Sequence, residues 1–258
     1  MSTEEPVLLA QISDLHVEVG VGDRAVAARV EAVVAAVGTL APAPDAVLVT
    51  GDLVHHGAPA EYDRVAELLA PLRMPVHALA GNHDDRDALR AALGPFVGEI
   101  HGSFVQYTAR SGPLRLVVCD TSDPGQDGGR LCDQRLAFID EALAADRDTP
   151  TVLAMHHPPL LTGIRVMDEI GLDDASRAEL AAVVEPAPNI SRVLAGHVHR
   201  AMFGCLGACT VFTCPSTDLA IQLDLTGSGE IAVVDEPPAF ALHVAAGGGL
   251  TTHVQPVN

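Results

Sequence analysis

The 258-residue chain is strongly acidic: 15 basic residues, every one an arginine, stand against 34 Asp and Glu, for a formal charge of −19. A field of that sign argues against nonspecific nucleic-acid binding and against adhesion to anionic membranes, and a phosphate-bearing substrate would need a local positive source such as a bound metal. Apolar residues make up 48% of the chain but aromatics only 3%, so the core is mostly Ala, Val and Leu, in a chain long enough for one large domain.

The N-terminal stretch MSTEEPVLLAQISD lacks a basic leader region, so no signal peptide is expected there. No apolar run approaches the ~18 residues of a membrane span. VLLAQI (7–12) reads as a buried strand, 23–40 as an amphipathic helix, AVLVT (46–50) as a strand and 61–72 as a helix. PVHALA (75–80) follows as a strand and 85–93 as a helix. This β-α-β-α-β order implies a parallel sheet with crossover helices. SFVQYTA (103–109) and LRLVVCD (114–120) form a predicted hairpin, and DTSDPGQDGG (120–129) a loop. A helix over 132–146, a strand over 151–155, a helix over 175–185 and a strand over 191–195 follow. Beyond residue 200 only strand patterns remain (208–214, 219–225, 230–236, 239–245 and 250–256), separated by turns such as 227–229 and 237–238. They read as an antiparallel part completing a second sheet. Two sheets sharing one core, with helices outside, make one α/β domain over 1–258.

The cysteines, at 119, 132, 205, 209 and 214, are odd in number and lack a pairing pattern. They suit reduced, buried thiols in a cytoplasmic protein, and the spacing of the last three is not that of a zinc ribbon.

Chemistry concentrates where strands end. After 7–12 come Asp14 and His16; after 46–50, Gly51 and Asp52; after 75–80, Gly81, Asn82, His83 and Asp84; after 151–155, His156 and His157; after 191–195, Gly196, His197 and His199. Singly, each has an ordinary role as a turn residue or helix cap. Five strands ending alike is another matter, because the carboxyl ends of parallel strands line the ligand crevice. Asp14, His16, Asp52, Asn82, His156, His197 and His199 mix oxygen and imidazole donors without thiolate. Seven such ligands suit two ions sharing a bridge, Zn, Fe or Mn rather than Ca or Mg. The glycines before Asp52, Asn82 and His197 are expected to let the backbone turn sharply there.

DLH (14–16), GD (51–52), GNHD (81–84), HH (156–157) and GHVH (196–199) resemble, in order and spacing, the signature of the calcineurin-like metallophosphoesterase superfamily, over residues 7 to about 200. The resemblance implies a four-layer α/β/β/α sandwich of two mixed β-sheets flanked by helices. It implies Asp14, His16, Asp52 and His199 as ligands of one metal, Asn82, His156 and His197 as ligands of the second, and Asp52 as the bridge. His83 is similar to the family's non-ligand histidine that faces the substrate phosphate, making His83 and Asp52 the catalytic candidates. Asp84 is expected either to orient His83 or to cap the next helix. His157, His55 and His56 are candidates to line the site, and Arg165 and Arg200 are read as surface arginines near it. The stretches 156–172 and 214–225 look similar to the class III cyclic-nucleotide phosphodiesterase and glycerophosphodiesterase branch. That implies hydrolysis of a small phosphodiester by a metal-bridging hydroxide, two ions from Fe, Mn, Zn or Co, and a homodimer or higher homo-oligomer. Phosphomonoesterase, nuclease and non-catalytic scaffold readings stay open at this point.

Overall fold

Val7–Ile12 forms β1, buried along its whole length. A six-residue run with no polar face belongs in a sheet covered on both sides. The structure, a computed structural model, describes residues 5–20, 23–100, 102–227 and 229–258, so Ser228 of the turn at 227–229 and residues 1–4 of the N-terminal stretch lie outside the described residues. In chain order β1 is followed by α1 (Asp23–Gly38), β2 (Ala46–Thr50), α2 (Pro59–Leu69), β3 (Val76–Leu79) and α3 (Arg86–Leu93). Next come β4 (Tyr107–Ser111), β5 (Leu114–Val118), α4 (Asp133–Ala145), β6 (Thr151–Ala154), α5 (Arg165–Glu169), α6 (Asp174–Val184) and β7 (Ile190–Ala195). The chain ends with β8 (Met202–Leu206), β9 (Cys209–Thr213), β10 (Ala220–Ile221), β11 (Val233–Val234), β12 (Ala239–Ala246) and β13 (Gly249–Pro256).

Two mixed sheets result, of order β13-β12-β1-β2-β3 and β4-β5-β6-β7-β9-β8. Helices flank them as an α/β/β/α sandwich. Period-two alternation in the second sheet decides which side chains face which layer. Leu116, Val118, Val152, Ala154, Leu194 and Phe212 join the cluster that contains the first sheet and α1 to α3. The alternate residues Val117, Leu153 and Val193 pack instead with Ile139 and Leu143 of α4 and Leu180 of α6.

Local chemistry sets the helix starts. Pro59 begins α2, a position where the missing N–H costs nothing. Glu61 accepts the Ala58 N–H at 3.1 Å. Asp85 and Asp173 cap α3 and α6 with their carboxylates.

The strands after residue 200 do not form one antiparallel part of the second sheet. β8 and β9 do extend it, but β9 runs parallel to β7. β12 pairs antiparallel with β1, so the β12–β13 hairpin extends the first sheet. With β2 on one side of β1, the other edge stands open, and an apolar run such as AFAL covers it. The runs over 219–225 and 230–236 yield only a two-residue ladder between β10 and β11, with Leu223, Leu225 and Val233 exposed. The sequence pattern marks neither β8, whose run contains Gly204, nor the short α5. Cys119 and Cys214 are buried as expected, whereas Cys205, on the edge strand β8, is exposed. Among the described residues no helix is long and apolar enough to cross a membrane.

Candidate metal centre

β1, β2 and β3 are adjacent and parallel, as are β6 and β7. Their carboxyl ends therefore open at one edge of the sandwich. The loops beyond them stay zipped: Asp14 N–H donates to Gly51 O at 3.1 Å, His16 N–H to Asp52 O at 2.9 Å, and Gly196 N–H to His156 O at 3.0 Å.

Among the described residues the only non-glycine residues with positive φ are Asp14 (52°), His16 (46°), Asp52 (48°), His197 (69°) and His199 (55°). Each such conformation costs roughly 1–2 kcal/mol and persists only where the surroundings enforce it. All five are candidate ligands, so the strain sits where side chains are aimed. The 214–219 loop helps to enforce it: Thr217 N–H donates to Ser13 O, and Ser216 Oγ and Asp218 N–H to Asp14 O.

The three glycines act in two ways. Gly51 has φ 85° and makes the expected turn. Gly81 and Gly196 do not have positive φ; what they supply is space. A Cβ on Gly81 would run into Asp52 Oδ1, and one on Gly196 into Ser13 Oγ.

The side chains form two groups around one carboxylate. Asp14, His16, Asp52 and His199 bring ligand atoms within 4.8 Å of one another. His16 Nε2 lies 3.0 Å from His199 Nε2, and His199 Nε2 lies 3.5 Å from Asp14 Oδ1. In the second group Asn82 Oδ1 is 3.0 Å from His156 Nε2 and 3.2 Å from His197 Nδ1. Asp52 Oδ2 reaches both groups, 3.6 Å from His16 Nε2 and 3.3 Å from His156 Nε2. Carbonyls fix two rings from behind: His156 Nδ1 donates to Thr50 O at 2.9 Å and His199 Nδ1 to Leu219 O at 2.7 Å.

Asp14 Oδ2, His16 Nδ1 and His197 Nε2 are buried without partners. Asp14 Oδ2, a buried acceptor without a donor, fits a cation, as do His16 Nε2 and His197 Nδ1, the ring nitrogens turned toward His199 and Asn82. Protonation agrees. Burial, with neighbouring imidazoles, holds His16 and His197 well below the ordinary histidine range, so their lone pairs are free. Burial opposes charge on Asp52 and His156 too, but each stabilises the other: Asp52 stays well below the usual carboxylate range and His156 is pushed up to about 9.

His83 stands beside this centre. Its N–H donates to Asp52 Oδ1 at 3.0 Å, its Nδ1 donates to His55 O at 2.9 Å, and its ring centroid is 4.7 Å from that of His16. Asp84 neither orients His83 nor caps α3, whose cap is Asp85. Its carboxylate accepts from Gly81 N at 2.8 Å, Leu53 N at 3.2 Å and Tyr62 Oη at 3.1 Å, tying the loops after β2 and β3 together. His157 falls within ligand distance of His156 and His197. Both its ring nitrogens are committed, however, to Thr121 Oγ1 at 2.9 Å and Asp127 O at 3.1 Å, and burial first, then His156, pushes it down to about 3. It serves as packing beneath His197. His56 pairs with Glu61 at the start of α2, while His55 lines the site, its ring 5.7 Å from that of His16 and 5.3 Å from that of His83, and its carbonyl holds His83 Nδ1. Arg165 pairs with Glu169 on the surface, and Arg200 donates to Ile221 O at 2.7 Å.

The end of β5, a loop start by sequence pattern, holds two further residues of the site's support. There Asp120 accepts from Arg86 at 2.7 Å and from Val105 N at 2.9 Å, and Thr121 carries His157. The same strand-end logic applied to LRLVVCDTS would have found both.

An α/β/β/α sandwich that gathers Asp, Asn and His side chains into two candidate metal-ligand groups at its strand ends has the arrangement of a metal-dependent hydrolase. A family model for calcineurin-like phosphoesterases matches residues 7–201, and the chain belongs to that family. It is 36% identical over 223 residues to a protein of Synechococcus sp. designated a probable cyclic nucleotide phosphodiesterase, covering 84% of this chain and 82% of that one. It is 35% identical over 225 residues to the glycerophosphodiester phosphodiesterase GpdQ of Enterobacter lignolyticus, covering 82% of this chain and 77% of that one. Among solved structures, a purple acid phosphatase from yellow lupin superposes with a TM-score of 0.66 at 14% identity, covering 98% of this chain and 52% of that one. That last likeness is one of fold. Family, relatives and metal-holding groups together make the activity of this chain metal-dependent and phosphodiesterase-like.

Proposed function

We propose that this chain hydrolyses small phosphodiesters, 3',5'-cyclic nucleotides such as cAMP or glycerophosphodiesters, using two ions drawn from Fe, Mn, Zn and Co. In this reading Asp14, His16, Asp52 and His199 hold one ion, and Asp52, Asn82, His156 and His197 the other. The observation that carries it is the placement of Asp52 Oδ2 within 3.6 Å of a ring nitrogen from each group. A carboxylate between two cations offsets their repulsion. The relatives named for cyclic-nucleotide and glycerophosphodiester cleavage support the choice of diester.

Two such ions supply Lewis acidity toward phosphoryl oxygens and hydroxide near neutral pH. The rest falls to the chain. Asp52 orients His83 by accepting its backbone N–H, and the His55 carbonyl fixes the ring with Nδ1 as the donor. Nε2 is left for the substrate. As imidazolium, His83 stabilises charge on the phosphoryl group and gives its Nε2 proton to the departing alkoxide.

The test is a comparison of kcat/KM for 3',5'-cAMP, a glycerophosphodiester, an aryl diester and an aryl monoester under each metal. Diesters should lead. A monoester preference above about tenfold, over 1.36 kcal/mol of transition-state discrimination, would replace this reading with a phosphomonoesterase.

A further inference from the structure

The candidate ligands come from two sheets, so the spacing of the centre depends on what ties those sheets together at its floor. Asp14, His16, Asp52 and Asn82 follow strands of the first sheet, and His156, His197 and His199 follow strands of the second. The halves meet without slack. A Cβ on Gly196 would run into Ser13 Oγ and Thr50 O, and one on Gly51 into His156 Nδ1.

Gln11 lies on β1, fully buried, and is no candidate ligand. Its Nε2 donates to Thr50 Oγ1 at 3.0 Å and to Ala195 O at 3.0 Å. Thr50 ends β2, directly before Gly51 and Asp52; Ala195 ends β7, directly before Gly196 and His197. One carboxamide thus joins the last residue of a first-sheet strand to the last residue of a second-sheet strand, under the centre. Thr50 Oγ1 passes its own proton to Ser13 Oγ at 2.7 Å, beside Asp14.

The orientation of the amide is determined. Ala195 O can only accept, so Nε2 faces it and Oε1 is left for His243. His243 Nε2, 3.0 Å from Oε1, therefore carries the ring proton. Its Nδ1, 2.8 Å from Thr252 Oγ1, accepts from that hydroxyl, whose oxygen takes a bond from Arg192. Burying an amide costs stability that an apolar side chain of the same length would not. What the amide gains is direction, since both its N–H groups and its carbonyl are engaged.

We infer that Gln11 is a positioning residue of the metal centre: its carboxamide fixes the spacing of the two ligand halves, and His243 fixes the carboxamide. The inference rests on the two-ion reading above and deepens it. Without the amide the sheets stay packed through their apolar faces, but the ends of β2 and β7 lose the bond that sets their separation. The two ions feel this unequally. Asp14, His16 and Asp52 come from the first sheet with only His199 from the second, whereas Asp52 and Asn82 face His156 and His197 evenly. The loss falls mainly on the second group.

The test is a titration of chelator-stripped protein with manganese(II), following bound metal and the electron paramagnetic resonance of the manganese pair. Wild type is compared with Gln11→Met, which keeps the length of glutamine and none of its bonds, and with Val34→Ala. Val34 is buried on the flanking helix α1 and supplies no part of the centre, so its truncation costs stability alone. Gln11→Met should weaken the second manganese ion about tenfold, the low end of the loss expected for a group that supports metal ligands, and should alter the exchange-coupled signal. Val34→Ala should keep both as in wild type, whatever its thermal midpoint. His243→Leu, which leaves the amide without its anchor, should show the same loss in smaller measure, and it decides the matter if Gln11→Met does not fold. Wild-type affinity and coupling in either Gln11→Met or His243→Leu would overturn the inference, as would an equal loss in Val34→Ala. Either result leaves the two-ion reading standing. A wild-type protein that takes up only one manganese ion would overturn that reading and this inference with it.

Discussion

Asp52 is the residue on which most of the site turns. It has a left-handed backbone, its Oδ1 holds the His83 N–H, and its Oδ2 faces both histidine groups. Asp52→Asn keeps the shape and removes the charge. Metal content and turnover should fall together, measured by elemental analysis and an aryl diester assay; full metal occupancy in the variant would deny Asp52 a bridging role. His83→Ala removes no proposed ligand. It should leave metal content near that of wild type and lower turnover by about 10²–10⁴. The loss should be smaller for nitrophenyl esters, whose leaving group needs little protonation. Equal losses on good and poor leaving groups would show that His83 is no acid. At this scale the convergence of Asp14, Asp52, Asn82 and the histidines was legible, because residue type and strand-end position are both written in the chain. The part played by Asp84 was not. Its neighbours suggested a partner for His83, but the amides it satisfies come from loops whose approach only the fold defines.

At the scale of elements, the C-terminal hairpin is where reading the chain failed. Alternation marks 239–245 and 250–256 as strands but does not say which sheet has an open edge for them. β12 settles on β1 and brings His243 into the interior, where Nε2 lies 3.0 Å from Gln11 Oε1 and Nδ1 lies 2.8 Å from Thr252 Oγ1. Burial, with Arg192 adding to it, pushes this imidazole down to about 3. In the unfolded chain a histidine titrates near 6.5. Both states are neutral above that pH, and below it the unfolded state takes up the proton first. The stability due to a neutral His243 is thus complete above about pH 6.5 and is lost progressively as the pH falls toward 3. His243→Gln removes the titration. Between about pH 6.5 and 5 the unfolding free energy of the wild-type protein should fall more steeply than that of the variant, by up to roughly 1.4 kcal/mol per pH unit, and its thermal midpoint should fall with it. Parallel midpoint curves would mean that His243 is not held neutral. The exposed β10–β11 ladder escaped for a different reason: alternating apolar residues signal a strand but not whether anything covers them.

Across the whole molecule, two halves of the chain meet at one edge. Residues 7–83 supply Asp14, His16, Asp52, Asn82 and His83 from the first sheet, and residues 151–199 supply His156, His197 and His199 from the second. Chain order carried this much, since parallel strands linked by crossovers must end on the same side. The formal charge of −19 adds a demand: an anionic ester must find positive charge inside a molecule that repels it at long range. Arg86 is committed to Asp120 and Arg165 to Glu169, which leaves that charge to metal ions. The most direct measurement is therefore a metal titration of chelator-stripped protein, following diester hydrolysis and bound metal together. Turnover should be absent without metal and should recover with Mn, Co, Zn or Fe, saturating at about two ions per chain. Full activity in the stripped protein, or full recovery at one ion per chain, would contradict the two-ion reading.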